Sequence, residues 1–374
     1  MPKADAPAFL QGVKILDLSQ YISGPLATLM LGDFGAEVIK VESPEGDAMR
    51  LLGPRDASGG ALFHGALNAQ KSLFHLDLKS AAGLAALDEL LAGCDVLVEG
   101  FRPGVMARLG LSYDVLQARF PRLIYCSISG YGATGPRTHV AGHDGNYLAA
   151  SGIMARNGSD APMFYDPPLA DMSGALFAAV AILAALYGRL TSQRGTHIDL
   201  GLADALMPLQ LLQVAGWSAD RGEIKRQSTY LNGGAAYYQV YRTADDRHVM
   251  VGAIEPKFWR NLCSRAGHDE WIVRQNEPCP QTDLRRDVAH YFMGLSLHEA
   301  LSRFGEVDCC VSAVLELGEA LTDPHVLARG LVPHTPNGMQ ALFPALFDGQ
   351  PVRPRQPLTT VLHTREGLRI DAVI

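Results

Sequence analysis

The densest run of reactive side chains is GHDGNY at positions 142–147, which gathers an imidazole, a carboxylate, a carboxamide and a phenol. His143 is the natural general base near neutral pH, because its pKa needs little adjustment for that task. The same segment also reads as a polar turn in which Asp144 or Asn146 caps a following helix. Asp171 stands where a loop containing Pro167 and Pro168 meets the most apolar stretch of the chain. Helix-terminal N–H groups and the helix dipole are expected there to favour its ionised form. It could act as an N-cap, as a base, or as a nucleophile toward a carbonyl. Glu255 directly precedes Pro256 at the expected end of a strand. By itself it is a surface acid; beside His143 it would orient the ring and stabilise its charged form. Arg102, in GFRPG, carries the planar fork that suits phosphate oxygens.

Other chemistries lack their signatures. Glu42 falls about where a ribose-binding acid sits in dinucleotide folds, yet ISGPLATLMLG contains no GxGxxG, so close backbone approach to a pyrophosphate is not encoded. There is no GxSxG elbow, HExxH, Walker loop or EF-hand, and no metal site is expected. The six cysteines fall in no zinc-type spacing and read as reduced core residues. A formal charge of −7, with no long basic run, speaks against nucleic acid or an anionic membrane as partner. The stretch from Met172 to Tyr187 is short for a membrane span and is expected to be a buried helix. MPKADAPAFL lacks a continuous apolar core, so no secretion signal is read and a cytoplasmic location is expected.

The elements that must position these residues follow an α/β pattern. Short apolar runs at Val13–Leu18, Glu37–Glu42, Leu73–Leu78, Asp95–Glu99 and Leu123–Ser129 alternate with helical segments, which predicts a Rossmann-like parallel sheet with crossover helices. This large domain is expected to span residues 1–215, with THIDLGLADALM as a strand followed by a helix at its exit. A smaller α+β domain over 225–330 is built on paired strands Ala236–Arg242 and His248–Ala253, with helices at Lys257–Arg265 and Leu297–Phe304. The Pro-rich segment 331–374, poor in periodicity, is expected to return to the large domain.

Longer motifs carry a resemblance. GVKILDLSQYISGPLATLMLGDFGAEVIKVESPEGDAMR, DVLVEGFRPGVMARLGL, LIYCSISGYGATGP and LADMSGALFAAVAILAALYGRLTSQRGTHIDLGLADAL are similar, in this order, to the family III CoA-transferase (CaiB/BaiF) superfamily. Within it, AGHDGNYLAASG and GGAAYYQVYRTADDRHVMVGAIEPKFW resemble the α-methylacyl-CoA racemase branch. That resemblance implies an acyl-CoA thioester as substrate, no prosthetic group, and an interlocked homodimer. It implies His143 and Asp171 as a proton-transfer pair, with Glu255 supporting His143. Transferases of the family instead use the aspartate matching Asp171 as a nucleophile. For coenzyme A, the resemblance implies Asp144 beside the thioester, Tyr147 beside the pantetheine arm, Lys40 and Arg102 on the phosphates, and Asn146 among the coenzyme-binding residues. It places Leu76, Asp77, Leu78 and Lys79 against the adenine. DMSGA replaces the more usual Asp-x-x-Gly-Gly, and Gly145 stands where racemases often carry an aliphatic residue; both changes adjoin the reacting groups.

Overall fold

The computed structural model describes residues 8–364 and 367–373, except 221 and 337. They divide into two compact units. The first holds residues up to Ser151, Tyr165–Leu209 and the segment from Asp323 onward; the second holds Gly152–Phe164 and Gln210–Thr322. These limits differ from the expected ones at three places. Residues 152–164 join the second unit, which also begins earlier, at Gln210, and ends earlier, at Thr322.

The first unit is organised on an eight-stranded sheet. Strands β1 (Lys14–Leu18), β2 (Glu37–Glu42), β3 (Ser72–His75), β4 (Val96–Glu99), β5 (Ile124–Ser129) and β6 (His197–Gly201) lie in the order β3-β2-β1-β4-β5-β6, all parallel. This is the strand order of dinucleotide-binding folds, with the switch point between β1 and β4, where ligands bind beyond the carboxyl ends of the strands. Thr359–Thr364 extends the sheet parallel to β3, and Gly367–Val373 closes that edge antiparallel. The tail therefore adds strands that its weak periodicity did not announce. β3 ends before the expected Leu78, because the Asp77 carboxylate accepts the Lys79 amide and turns the chain into the Ala81–Leu91 helix.

β1, β2, β4 and β5 are buried nearly end to end, as strands covered on both faces must be. One face packs Leu16, Leu97 and Tyr125 on helices Ala81–Leu91 and Tyr113–Arg119. The other receives helix Ser23–Asp33 and helix Leu169–Ser192. The latter docks by a strip of small residues (Ser173, Gly174, Ala175, Ala178) and by Arg189, which reaches Asp95 at 2.8 Å. It is the apolar helix expected, but longer than its apolar stretch and not buried all round. It runs 24 residues, long and apolar enough to cross a membrane by length and composition alone. Its outer face leaves Leu176, Val180, Tyr187 and Leu190 more than half exposed.

The second unit is built on an antiparallel sheet of β7 (Tyr238–Arg242), β8 (His248–Gly252) and β9 (Val311–Ala313). Pro256 at the first position and Gly267 at the end, with φ of 79°, bracket one covering helix. A reciprocal Ser296/Glu299 cap opens the helix Leu297–Phe304. Trp259, Phe292 and Phe304 fill its core. After β6 the chain makes single turns at Asp204–Leu206 and Pro208–Gln210 before the helix Leu211–Asp220, because Pro208 cannot continue a helix. All six cysteines are free; Cys126, Cys263 and Cys309 are core residues, whereas Cys279 and Cys310 are exposed and correct the expectation for those two.

Candidate active site

His143 sits at the mouth of the helix Asp144–Ser151, with its carbonyl accepting the Asn146 amide at 2.8 Å. The Asn146 side chain accepts the His143 amide at 3.0 Å. The two bonds close a ring that fixes the histidine backbone while leaving the imidazole exposed. Tyr21, held in a left-handed conformation at φ of 63°, sets its ring edge-on to the imidazole, 6.3 Å between centroids. Asn146 is thus a backbone clamp for the histidine.

Asp144 does not cap the helix it begins. Its Oδ1 accepts the amides of Ala170 at 2.6 Å and Asp171 at 3.2 Å, capping the helix Leu169–Ser192, where Pro168 offers no capping side chain. This alters the reading of Asp171. The helix N–H groups expected to favour its ionised form are taken by Asp144. Burial pushes the Asp171 pKa up first, and the Asp144 charge pushes it further; the Ser23 hydroxyl, donating at 3.2 Å, and His143 oppose them. Ser23 opens the helix Ser23–Asp33, and nothing local in the sequence marked it as a partner of Asp171.

Tyr147 is buried; its hydroxyl donates to the Gly142 carbonyl at 2.6 Å and its ring meets Tyr131 edge-on at 5.2 Å. It forms the wall of the site. A Cβ at Gly130 would lie 2.6 Å from the Tyr147 hydroxyl, so that position is held to glycine by close approach. Burial, then Asp171 and Tyr131, push the Tyr147 pKa up to about 12, while Arg102 pulls the other way. Arg102 itself is exposed and follows β4 at the switch point, and its guanidinium makes no hydrogen bond or ion pair among the described residues. Leu76, Asp77, Leu78 and Lys79 form the turn after β3, with Leu76 buried and Asp77 and Lys79 exposed.

Lys40 does not fit its expected place. Its side chain is wholly buried; Nζ donates to the Ser19 carbonyl and lies 3.6 Å from Asp47 and 4.0 Å from Asp17. Reaching a phosphate would require breaking that network, so Lys40 serves inside the fold. The network continues through Lys71, whose Nζ contacts Asp17 at 3.0 Å, Thr28 at 2.9 Å, Asn68 at 3.0 Å and the Pro25 carbonyl at 2.9 Å. Burial lowers the Lys71 pKa to about 8, although Asp17 opposes it. Beside it, Glu42, Asp47 and His64 offer ligand atoms within 4.8 Å of one another. Arg50 bonds Glu42 at 2.8 Å and Lys40 faces Asp47, so cations of the protein already balance those carboxylates.

Glu255 lies in the second unit, at the mouth of the helix Pro256–Ala266. Its side chain is exposed and makes no capping bond. The first unit thus brings together His143, Asp144, Asn146, Tyr147 and Asp171, and adds Tyr21, Ser23 and Tyr131, which sequence reasoning missed. Chemically, the group offers an accessible imidazole and a carboxyl biased toward its neutral form. The amides of Asp144 and Gly145 have no partner among the described residues; as first-turn N–H groups they are available to an oxyanion.

An α/β unit with the 3-2-1-4-5-6 strand order and a His/Asp site at its carboxyl edge defines a class that comparison narrows. The model of CoA-transferase family III matches residues 10–358. Human α-methylacyl-CoA racemase is 34% identical over 330 residues, covering 86% of this chain and 81% of the racemase. Mouse succinyl-CoA:glutarate CoA-transferase is 37% identical over 257 residues, 67% of this chain and 58% of the transferase. A CAIB/BAIF family protein from Brucella suis superposes with a TM-score of 0.84 at 26% identity, covering 95% of this chain and 96% of that one. The chain belongs to CoA-transferase family III.

Proposed function

We propose that the protein is an acyl-CoA racemase or epimerase that moves the α-proton of a 2-methylacyl-CoA thioester between two faces. The observation that carries this reading is the pairing of exposed His143 with an Asp171 pushed toward its neutral form by burial and by Asp144. A nucleophilic carboxylate must be ionised; a proton donor must not. His143 takes the α-proton and becomes imidazolium, and the C–H electron pair passes into a planar enolate. Asp171 delivers its proton to the opposite face and becomes carboxylate, so charge and protons balance. The free amides of Asp144 and Gly145 are suited to the enolate oxygen, where one well-placed donor is worth about 3–4 kcal/mol.

Coenzyme A would extend over the carboxyl edge, with Arg102 on its phosphates and Asp77–Lys79 near the adenine. No prosthetic group takes part in this reading. A homodimer, in which Glu255 of one chain supports His143 of the other, accords with exposed apolar side chains grouped on two helices. In the first unit these are Leu176, Val180, Tyr187 and Leu190; in the second, Leu211, Leu212, Val214 and Trp217 on the helix Leu211–Asp220.

The second reading is CoA transfer with Asp171 as nucleophile, favoured by transferase relatives such as the mouse enzyme. One experiment separates the two. A panel of 2-methylacyl-CoAs in deuterated water, with an added free acid, is followed by proton NMR and chiral analysis. Exchange of the α-proton with loss of chirality, the loss of chirality being abolished by His143→Ala and by Asp171→Asn, supports the racemase. Formation of the added acid's CoA ester without exchange, lost only with Asp171→Asn, installs the transferase.

A further inference from the structure

The two reacting groups stand on different segments, and a single side chain ties those segments together. His143 precedes the helix Asp144–Ser151, whereas Asp171 lies in the first turn of the helix Leu169–Ser192. Asp144, the residue next to His143, accepts the amides of Ala170 and of Asp171 itself with one carboxylate oxygen. Bonds between a carboxylate and backbone amides are short and strong, and these also satisfy donors that a helix start leaves orphaned.

We propose that Asp144 is the positioning residue of this site. Its Oδ1 pins the helix of Asp171 to the residue beside His143, setting the gap between the two groups, and its charge stands against the Asp171 carboxyl. The groups facing Asp171 are Asp144 and His143 from the loop and helix start, Ser23 from the helix Ser23–Asp33, and Tyr147, which itself feels Arg102. Among them Asp144 alone adds a fixed negative charge. It therefore holds the geometry, as a neutral cap also would, and adds a charge that pushes the Asp171 pKa up, which a neutral cap would not. In the racemase this favours the protonated donor; the proposal rests on that reading for its catalytic consequence, but not for its effect on Asp171.

Two substitutions separate geometry from charge. Asp144→Asn keeps an acceptor oxygen for the two amides and removes the charge; Asp144→Ala removes both. The direct measurement is a carbon-13 NMR titration of aspartate carboxyls in the free enzyme, with Asp171→Asn identifying the Asp171 signal. Asp171 is expected to titrate at lower pH in Asp144→Asn than in the wild type. In turnover, the limb of the kcat/KM profile that belongs to Asp171, for the direction in which it donates, moves to lower pH in parallel. Asp144→Ala is expected to lower kcat about a hundredfold, the cost of a misplaced reacting group, with KM changed less than threefold. An Asp171 titration unmoved in Asp144→Asn overturns the charge role. A kcat within twofold of wild type in Asp144→Ala overturns the positioning role. If Asp171 moves as expected while no 2-methylacyl-CoA is racemised, the assignment to Asp144 stands and the racemase reading fails.

Discussion

Two aspartates in the same unit, one buried and one half-buried, are pushed in opposite directions. Asp17, at the end of β1, is fully buried, and burial is the largest influence on it. Lys40, Lys71 and the hydroxyls of Ser19 and Thr28 nevertheless hold its pKa well below the usual carboxylate range. Asp171 is less buried, yet its pKa is raised, because its charged neighbour Asp144 is another carboxylate and only Ser23 and His143 oppose it. Burial penalises both anions; the sign of the neighbouring charge decides the outcome. The first cluster has its charges matched and serves the fold. The second is left unbalanced, which costs stability and suits proton transfer.

The largest expected effect falls on the unbalanced site. His143→Ala and Asp171→Asn should each abolish racemisation, measured by loss of optical activity, with little change in melting temperature. The balanced cluster should respond the other way. Asp17→Ala leaves Lys71 buried without its counter-ion and should cost about 3–5 kcal/mol, read by denaturant unfolding. The contribution of Asp17 depends on pH with a definite sign. It binds a proton less readily when folded, so its stabilisation is full above the ordinary aspartate range near pH 4 and drains away as the pH falls toward the folded value. Acid unfolding of the wild type should flatten in Asp17→Ala over that window.

Smaller changes sharpen the contrast. Gly130→Ala drives a methyl toward the Tyr147 hydroxyl. It should cost about 1–3 kcal/mol and lower activity together with stability. Arg102→Ala should raise KM for acyl-CoA about tenfold at unchanged melting temperature, the loss of one charge-assisted bond. Lys40→Met, by contrast, should lower the melting temperature without a selective effect on KM; a selective KM effect would return Lys40 to the phosphates.

Much of this arrangement was legible in local pattern. β1 and β5 begin one residue later than predicted and end where predicted, because their apolar runs are bounded by turn residues. GHDGNY and Asp171 announced themselves by composition. What local pattern could not carry was the contact of Asp144 with amides 26 and 27 residues away, or of Ser23 with Asp171 across 148. Of these, Asp144 pushes the Asp171 pKa up, against the expectation from the helix start, while the Ser23 hydroxyl favours the ionised form. Lys40 looked like an available cation because a strand's alternation does not reveal that both faces of this sheet are covered. The extent of the helix Leu169–Ser192 was underestimated because its apolar core fades into polar ends that are helical all the same.

The central claim is that His143 and Asp171 serve opposite faces of one carbon. Its most direct test is α-proton exchange of each separate enantiomer of a 2-methylacyl-CoA in deuterated water, catalysed by His143→Ala and by Asp171→Asn. The account predicts that neither variant racemises, and that each retains slow exchange with one enantiomer only, the two variants choosing opposite ones. Exchange of the same enantiomer by both variants, or racemisation surviving in either, would contradict it.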